Sequence, residues 1–513
     1  RWRNGPLQDI ALEQMAAMKK FHELDIPHSG FYAEGAGATF FGEYKKEELY
    51  KVVSFGERHG FKVFSWQFPN MTQELAQELL PECPKEELPI TRNKNDEEEK
   101  LPVYIDFSHP RAKELLAAQW KDRMDAGIRG SMVDFGDVVP DEAVFYDGRR
   151  GDEMHNAYAY QYAKNYRELF EQKYGDDHVL YTRGAAPGSQ HFACQFGGDQ
   201  LTSFQGLKYA IAGGLSAAAS GLPFWGVDAG GYDGFPDQET YLRWTEYAAF
   251  CPLMRFHGTE PREPWEYDAF TVKVYRYYTW LRENLRPYIV SVAAEAHKLG
   301  IPMMRPLAMM YPEDQEATKV WDEYLFGEDL LVAPVSDETE EREIYFPEGR
   351  WISLWNLNDE ISGPVQRSVE VPIDKIPVYI REGSFLPLRL NESLKLGESM
   401  SESETEMILA VVPQNDSIVK ETLYERSGAK TCCGMEKNGE TIQLQISGRT
   451  AELYVMLAGI HWKNTEAIVN GRTLTKVTAR EGLYFTEGYL ELEEGILVKI
   501  NPSAESVIKI QKK

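Results

Sequence analysis

The chain has 513 residues and 43% hydrophobic content, enough apolar material for two to four domains with substantial cores. A formal net charge of −26 argues against a nucleic-acid partner, because binding a polyanion needs a basic footprint; neutral or cationic substrates fit better. Aromatic residues make up 12% of the chain, which suits flat faces for sugar rings to stack on, although aromatics serve first as core.

Five cysteines (Cys83, Cys194, Cys251, Cys432 and Cys433) show neither a CxxC pattern nor Cys/His metal spacing. They suggest no disulfide framework and no zinc site, and a reducing, cytoplasmic setting is the expectation. No run approaches the ~18 apolar residues of a membrane span, so no membrane partner is expected. The opening Arg1-Trp-Arg-Asn-Gly has no signal-peptide core and reads as the loop after a strand, as if the chain began inside a domain.

From the start to about residue 300, helical and strand-like segments alternate. Helical periodicity over 10–24 leads to a strand at 29–33. Helix 46–59 leads to strand 61–66, helix 110–126 to strand 130–133, helix 156–174 to strand 179–182, and helix 207–221 to strand 223–226. Helices at 241–249 and 271–299 complete the series. Repeated βα units predict a parallel sheet, and their number favours a closed (β/α)8 TIM barrel over an open doubly wound sheet. Gly35-Ala-Gly-Ala lacks the third glycine of a dinucleotide fingerprint. The charged run 93–100 reads as a solvated loop tip.

Beyond residue 300 the text becomes short β-rich runs with turns, at 330–335, 342–346, 377–381, 443–446, 451–457 and 495–500, as in β-sandwiches. A polar stretch at 386–404 marks a boundary between two such modules. The expected organisation is a barrel over 1–300, a proximal β-sandwich over 301–385 and a distal one over 386–513.

The chemistry is expected at strand ends. Asp134 follows the buried run Gly130-Ser-Met-Val, and in a parallel barrel the C-terminal ends of strands carry the reactive groups. An acid there must be paired, cap a helix or face a pocket. Asp199, in Phe196-Gly-Gly-Asp199-Gln, belongs to a different strand, and two carboxylates converging on one pocket are the minimal equipment for breaking a glycosidic bond. Asp137 reads as a cap or as a group that orients Asp134. Arg183 and His257 also sit at strand ends, suited to bind hydroxyls or hold a carboxylate; for His257 alone a satisfied core imidazole is the plainer reading. Trp225 and Asp228 pair an aromatic face with an acceptor, or else are a buried barrel indole and a cap.

Taken in order, these blocks resemble glycoside hydrolase family 31, the retaining α-glycosidases that include α-glucosidases, α-xylosidases and sulfoquinovosidases. The resemblance runs from about residue 10 to 385. It rests on Met132-Val-Asp134-Phe-Gly-Asp137, Thr182-Arg183-Gly, Phe196-Gly-Gly-Asp199-Gln, 221–231, Pro252-Leu-Met-Arg-Phe-His257, 300–306 and 330–335. It implies Asp134 as nucleophile and Asp199 as general acid/base, kept protonated by burial or nearby negative charge. It also implies a sugar subsite of Arg183, His257, Trp225, Asp228, Phe196, Met132 and Phe135.

Three departures stand out. The family's N-terminal β-sandwich and first barrel strand lie outside the chain. Glu34 stands where the family places an Asp for the distal hydroxyls, and Phe196 replaces the usual Trp before the acid/base. The segment after Glu34 is neutral and lacks the Trp and Arg pair that sulfoquinovosidases use.

The implied activity is an exo-acting α-glycosidase without metal or organic cofactor, acting on an oligosaccharide or small glycoside; α-glucosides and α-xylosides are the favoured substrates. Oligomeric state is open, a homo-oligomer included. The alternatives are an α-transglycosylase, a sulfoquinovosidase or α-galactosidase-type member, a noncatalytic carbohydrate-binding relative and a metal-dependent barrel hydrolase.

Overall fold

A computed structural model of the chain describes residues 7–33, 46–92, 103–449 and 451–513. Contacts divide it into two compact units. The first comprises residues 1–199, 224–228 and 257–261; the second holds the remainder.

In the first unit, helices and parallel strands alternate. Helix α1 (Leu7–Glu23) precedes β1 (Gly30–Tyr32), and α2 (Lys46–Arg58) precedes β2 (Lys62–Gln67). Then α3 (Ala112–Ala126) precedes β3 (Gly130–Val133), and α4 (Gly151–Tyr174) precedes β4 (Val179–Thr182). Strands β5 (Cys194–Phe196) and β6 (Trp225–Asp228) follow. These six strands lie side by side in chain order within one parallel sheet. Parallel order with an α-helix leading into each of β1 to β4 is what right-handed βα crossovers produce.

The termini follow local rules. Helix α3 ends at Gly127, whose φ of 104° and N–H bonds to the carbonyls of Arg123 and Met124 form a left-handed cap. The chain then enters β3 at Gly130, where a Cβ would stand 2.1 Å from the Val179 carbonyl oxygen; only glycine permits that approach between β3 and β4. One face of α4 buries Tyr158, Tyr162, Tyr166 and Phe170 in the core with Trp120 of α3. Trp120 Nε1 donates to Tyr166 Oη at 3.2 Å, so the core indole keeps a partner. Full burial of side chains this size is worth ~1.5–3 kcal/mol each.

In the second unit, helices precede antiparallel sheets. The helix expected over 271–299 is two helices, Ala269–Asn284 and Arg286–Leu299. Pro287 lies in the first turn of the second, where its missing N–H costs nothing, although mid-helix it would break the ladder. A six-stranded sheet of 304–306, 324–326, 330–332, 378–381, 341–353 and 360–370, in that spatial order, packs its own core around Trp351 and Phe346. A five-stranded and a six-stranded sheet built from residues 385–512 share one aliphatic core that includes Ile408, Leu444, Val455 and Ile510, a sandwich. The sandwich contains one parallel pair, Thr405–Val411 with Leu453–Ala458. Among the described residues no helix is long and apolar enough to cross a membrane.

Candidate active site

The first unit gathers charge where its strands end. Asp134 follows β3, and its N–H donates to the Gln67 carbonyl at the end of β2 at 2.7 Å. Its carboxylate takes two further donors: Phe135 N–H reaches Oδ1 at 2.9 Å and Trp66 Nε1 reaches Oδ2 at 3.0 Å. The side chain is 7% exposed, so these bonds replace lost solvent and fix its direction.

Arg183 follows β4 and ties three acids together. Its Nε donates to Asp137 Oδ1 at 3.3 Å and lies 3.5 Å from Asp134 Oδ1, while Nη1 lies 3.8 Å from Asp199 Oδ2. Burial works against the guanidinium charge, but the attraction of Asp134, Asp137 and Asp199 more than offsets it and holds Arg183 above its ordinary range. Three carboxylates about one cation leave the cluster negative, suited to a developing positive charge.

Two local devices hold this geometry. Phe135 adopts φ 56°, a left-handed conformation costing ~1–2 kcal/mol in a residue with a Cβ, and its ring stacks under the Arg183 guanidinium at 4.1 Å. Gly184 lets two loops meet: a Cβ there would stand 2.8 Å from Asp137 N. Trp66, Phe68 and Phe135 then form one aromatic cluster, with ring centroids 4.7 to 6.5 Å apart.

Asp134, Phe135, Asp137, Arg183 and Asp199 are therefore brought together. Asp199 differs from expectation in one respect: its side chain is 48% exposed rather than buried. His257 sits against Tyr32 at the end of β1, ring centroids 5.1 Å apart. Trp225, at the start of β6, is almost buried, and Asp228, at its end, is fully buried. Met132 is buried within β3, and Phe196 is buried edge-on against Tyr181, ring centroids 6.0 Å apart. Glu34 and the run 93–100 lie outside the described residues.

Trp66 was not singled out from sequence, although its place one residue before the end of β2 is the position rule that found Asp134. Asp137, read from the sequence as a cap or an orienting group for Asp134, pairs with Arg183, which itself lies 3.5 Å from Asp134. Beneath the site, Arg123 Nη1 donates to Gln67 Oε1 at 2.6 Å, and Tyr162 Oη donates to the Gln67 carbonyl at 3.2 Å, fixing the end of β2. Burial lowers Arg123 to about 10, the nearby tyrosines offsetting part of the effect. Among the described residues no group of three or more His, Cys, Asp or Glu side chains is arranged to hold a metal ion.

The model of the glycosyl hydrolases family 31 TIM-barrel domain matches residues 11–292, and that of the family's C-terminal domain matches residues 300–386. An isomaltosyltransferase of Sporosarcina globispora is 32% identical over 430 residues, 79% of this chain and 39% of that protein. An α-xylosidase of Emericella nidulans is 32% identical over 294 residues, 55% of this chain and 38% of that protein. A sulfoquinovosidase of Escherichia coli is 32% identical over 297 residues, 55% of this chain and 43% of that protein. The chain spans about two fifths of the length of each of these relatives. Among solved structures, the cycloalternan-forming enzyme from Listeria monocytogenes, in complex with a pentasaccharide substrate, superposes with a TM-score of 0.87 at 22% identity. That match covers 98% of this chain and 53% of that one. At this identity the likeness speaks to fold.

Proposed function

The chain belongs to glycosyl hydrolases family 31, and from that premise we propose that it acts as a retaining, exo-acting α-glycosidase on terminal α-glucosyl or α-xylosyl units. One observation carries the reading: a single guanidinium, Arg183, reaches both Asp134 and Asp199, from two different strand ends. Two carboxyls drawn to one guanidinium are the pair such a double displacement requires, with ~5–5.5 Å expected between them.

In this mechanism Asp134, oriented by Trp66 and Phe135 N–H, attacks the anomeric carbon. Asp199 gives its proton to the leaving oxygen, and a covalent glycosyl intermediate forms; Asp199 then takes a proton from the water that releases the sugar. His257, Trp225, Asp228, Phe196, Met132 and Glu34 complete the proposed sugar subsite.

A second reading is transfer to a sugar acceptor. It is favoured by the reach of the isomaltosyltransferase match, 79% of the chain against 55% for the α-xylosidase and the sulfoquinovosidase.

Aryl α-glucoside, α-xyloside, α-galactoside and α-sulfoquinovoside substrates, tested with and without an added acceptor sugar, separate these activities. Asp199→Ala should lose on the order of 10²- to 10⁴-fold on glycosides with poor leaving groups and little on activated aryl glycosides. Equal loss on both would remove Asp199 from the acid/base role.

A further inference from the structure

The outer face of α4 carries a cavity that the mechanism above does not use. It measures about 570 Å³, within the ~300–1,000 Å³ of small-molecule sites, and its lining lies entirely within the first unit. Ala157, Tyr160, Gln161, Lys164 and Asn165 recur at helical spacing on the face opposite the tyrosines buried in the core. Such a face is ordinarily open to water. Here Ala186 and Pro187, in the loop that begins with Arg183, also line the cavity. The loop backbone rests on Tyr160: a Cβ on Gly188 would stand 2.8 Å from its ring.

The lining is chemically specific. Phe107 and Tyr160 provide partly buried aromatic surfaces, while Asn156, Gln161 and Asn165 provide amides. Charges are mostly cancelled within the wall, Lys113 Nζ lying 2.8 Å from Glu168 Oε2 and Lys164 Nζ 3.7 Å from Oε1. That argues against a phosphate or carboxylate ligand, which would need unpaired cations. Gln161 Oε1 is buried and accepts no hydrogen bond, although the Gln161 backbone carbonyl is bonded to Asn165 Nδ2 at 2.8 Å. A buried acceptor without a donor costs ~1–3 kcal/mol, which favours turning the side-chain amide outward to meet a ligand hydroxyl in the cavity.

Aromatic faces, amides, self-cancelled charge and an unmatched acceptor together fit a neutral polyhydroxylated ring. We propose that this cavity is a noncatalytic carbohydrate-binding site for one or two sugar units of a neutral oligosaccharide, separate from the Asp134 and Asp199 pocket. The identification of the ligand as a sugar rests on the glycosidase reading.

The test is isothermal titration of the full-length protein carrying Asp134→Ala with isomaltotriose and maltotriose. Two classes of site are expected for at least one of them. Adding Ala157→Trp, which fills the cavity from a partly exposed position, should abolish one class. Adding Gln161→Ala should weaken the same class about tenfold, the loss of one good hydrogen bond. In the otherwise wild-type protein both substitutions should leave kcat/KM on an aryl glycoside within about twofold, which also reports folding. A single class of site with both sugars, or two classes unaffected by either substitution, would overturn the proposal. An inactive wild-type protein that keeps a binding class sensitive to Ala157→Trp would instead overturn the catalytic reading and leave this one standing.

Discussion

Two arginine clusters, one in each unit, use the same residue types to opposite ends. Around Arg183 three carboxylates share one guanidinium, and two of them keep 40% and 48% of their side-chain surface open to solvent. Arg243 and Glu246 of the second unit are 1% exposed and 3.2 Å apart. There Arg243 also donates to the carbonyls of Val371 and Pro372 at 2.7 and 3.1 Å, while Tyr278 donates to the Asp374 carbonyl and accepts from Ile376 N–H. The first cluster leaves lone pairs for a ligand. The second spends its bonds on one loop, 371–376, and its remaining donor, Arg243 Nε, is buried out of reach. An under-satisfied, reachable group marks chemistry; a buried one tied to its neighbours marks a strut.

The comparison breaks most sharply at Asp134. Asp134→Ala should lower kcat by on the order of 10⁴-fold or more on every glycoside, whatever its leaving group, with Tm close to that of the parent. A surviving rate above that, or a collapse of Tm, would make Asp134 a structural acid. Arg243→Ala should do the reverse. It leaves Glu246 with Tyr278 Oη alone, at 3.4 Å, and the loop carbonyls without their donor, which costs ~3–5 kcal/mol, while kcat/KM per folded molecule stays near the parent value. Thermal unfolding beside an aryl glycoside assay reads both variants.

How much of this was legible follows from what a side chain shows by itself. Asp134, Arg183 and Asp199 stand out because a charged residue directly after an apolar run cannot be core, so a strand end is the reading left. Trp66 does not stand out: an aromatic on a strand is what a core predicts, and its role depends on a carboxylate 68 positions away. The exposure of Asp199 was likewise out of reach, because burial at a strand end is set by loops from several segments. The helix over 271–299 continued its apolar periodicity through Pro287, and the period outweighed the breaker in the reading. In the sandwich, alternation located the strands, but the parallel pairing of Thr405–Val411 with Leu453–Ala458 is a matter of register between distant segments that alternation does not encode.

The buried pair also has a pH signature. Burial pushes the Glu246 carboxyl up to about 8, with Arg243 and Tyr278 offsetting only part of the effect. Its folded value lies above its unfolded value, so the folded state holds the extra proton between them. Stability from this group is therefore full below about 4.5, falls as pH rises toward 8, and is level above. Glu323 is pushed up to about 8 by its own burial, so the whole-protein slope mixes contributions. The difference between Glu246→Gln and the parent isolates one. That difference should shift in favour of the variant from pH 5 to pH 8, by at most ~1.4 kcal/mol per pH unit. A flat difference would mean that the pair is ionised throughout.

The smallest effect tests whether an indole belongs with the open cluster. Trp66 Nε1 donates to Asp134 Oδ2 at 3.0 Å, and its ring packs on Phe68 with centroids 4.7 Å apart. Trp66→Phe keeps an aromatic face for Phe68 and deletes the donor. A hydrogen bond to a charged acceptor is worth ~1.5–3 kcal/mol, so kcat/KM should fall roughly ten- to a hundredfold. Because the bond acts on the nucleophile, the loss should be the same for good and poor leaving groups, unlike the graded loss expected of Asp199→Ala. Tm should stay near the parent value, since the packing is kept. A loss graded by leaving group would place Trp66 with the acid/base, and a loss of Tm without a loss of rate would place it with Arg243, among the struts.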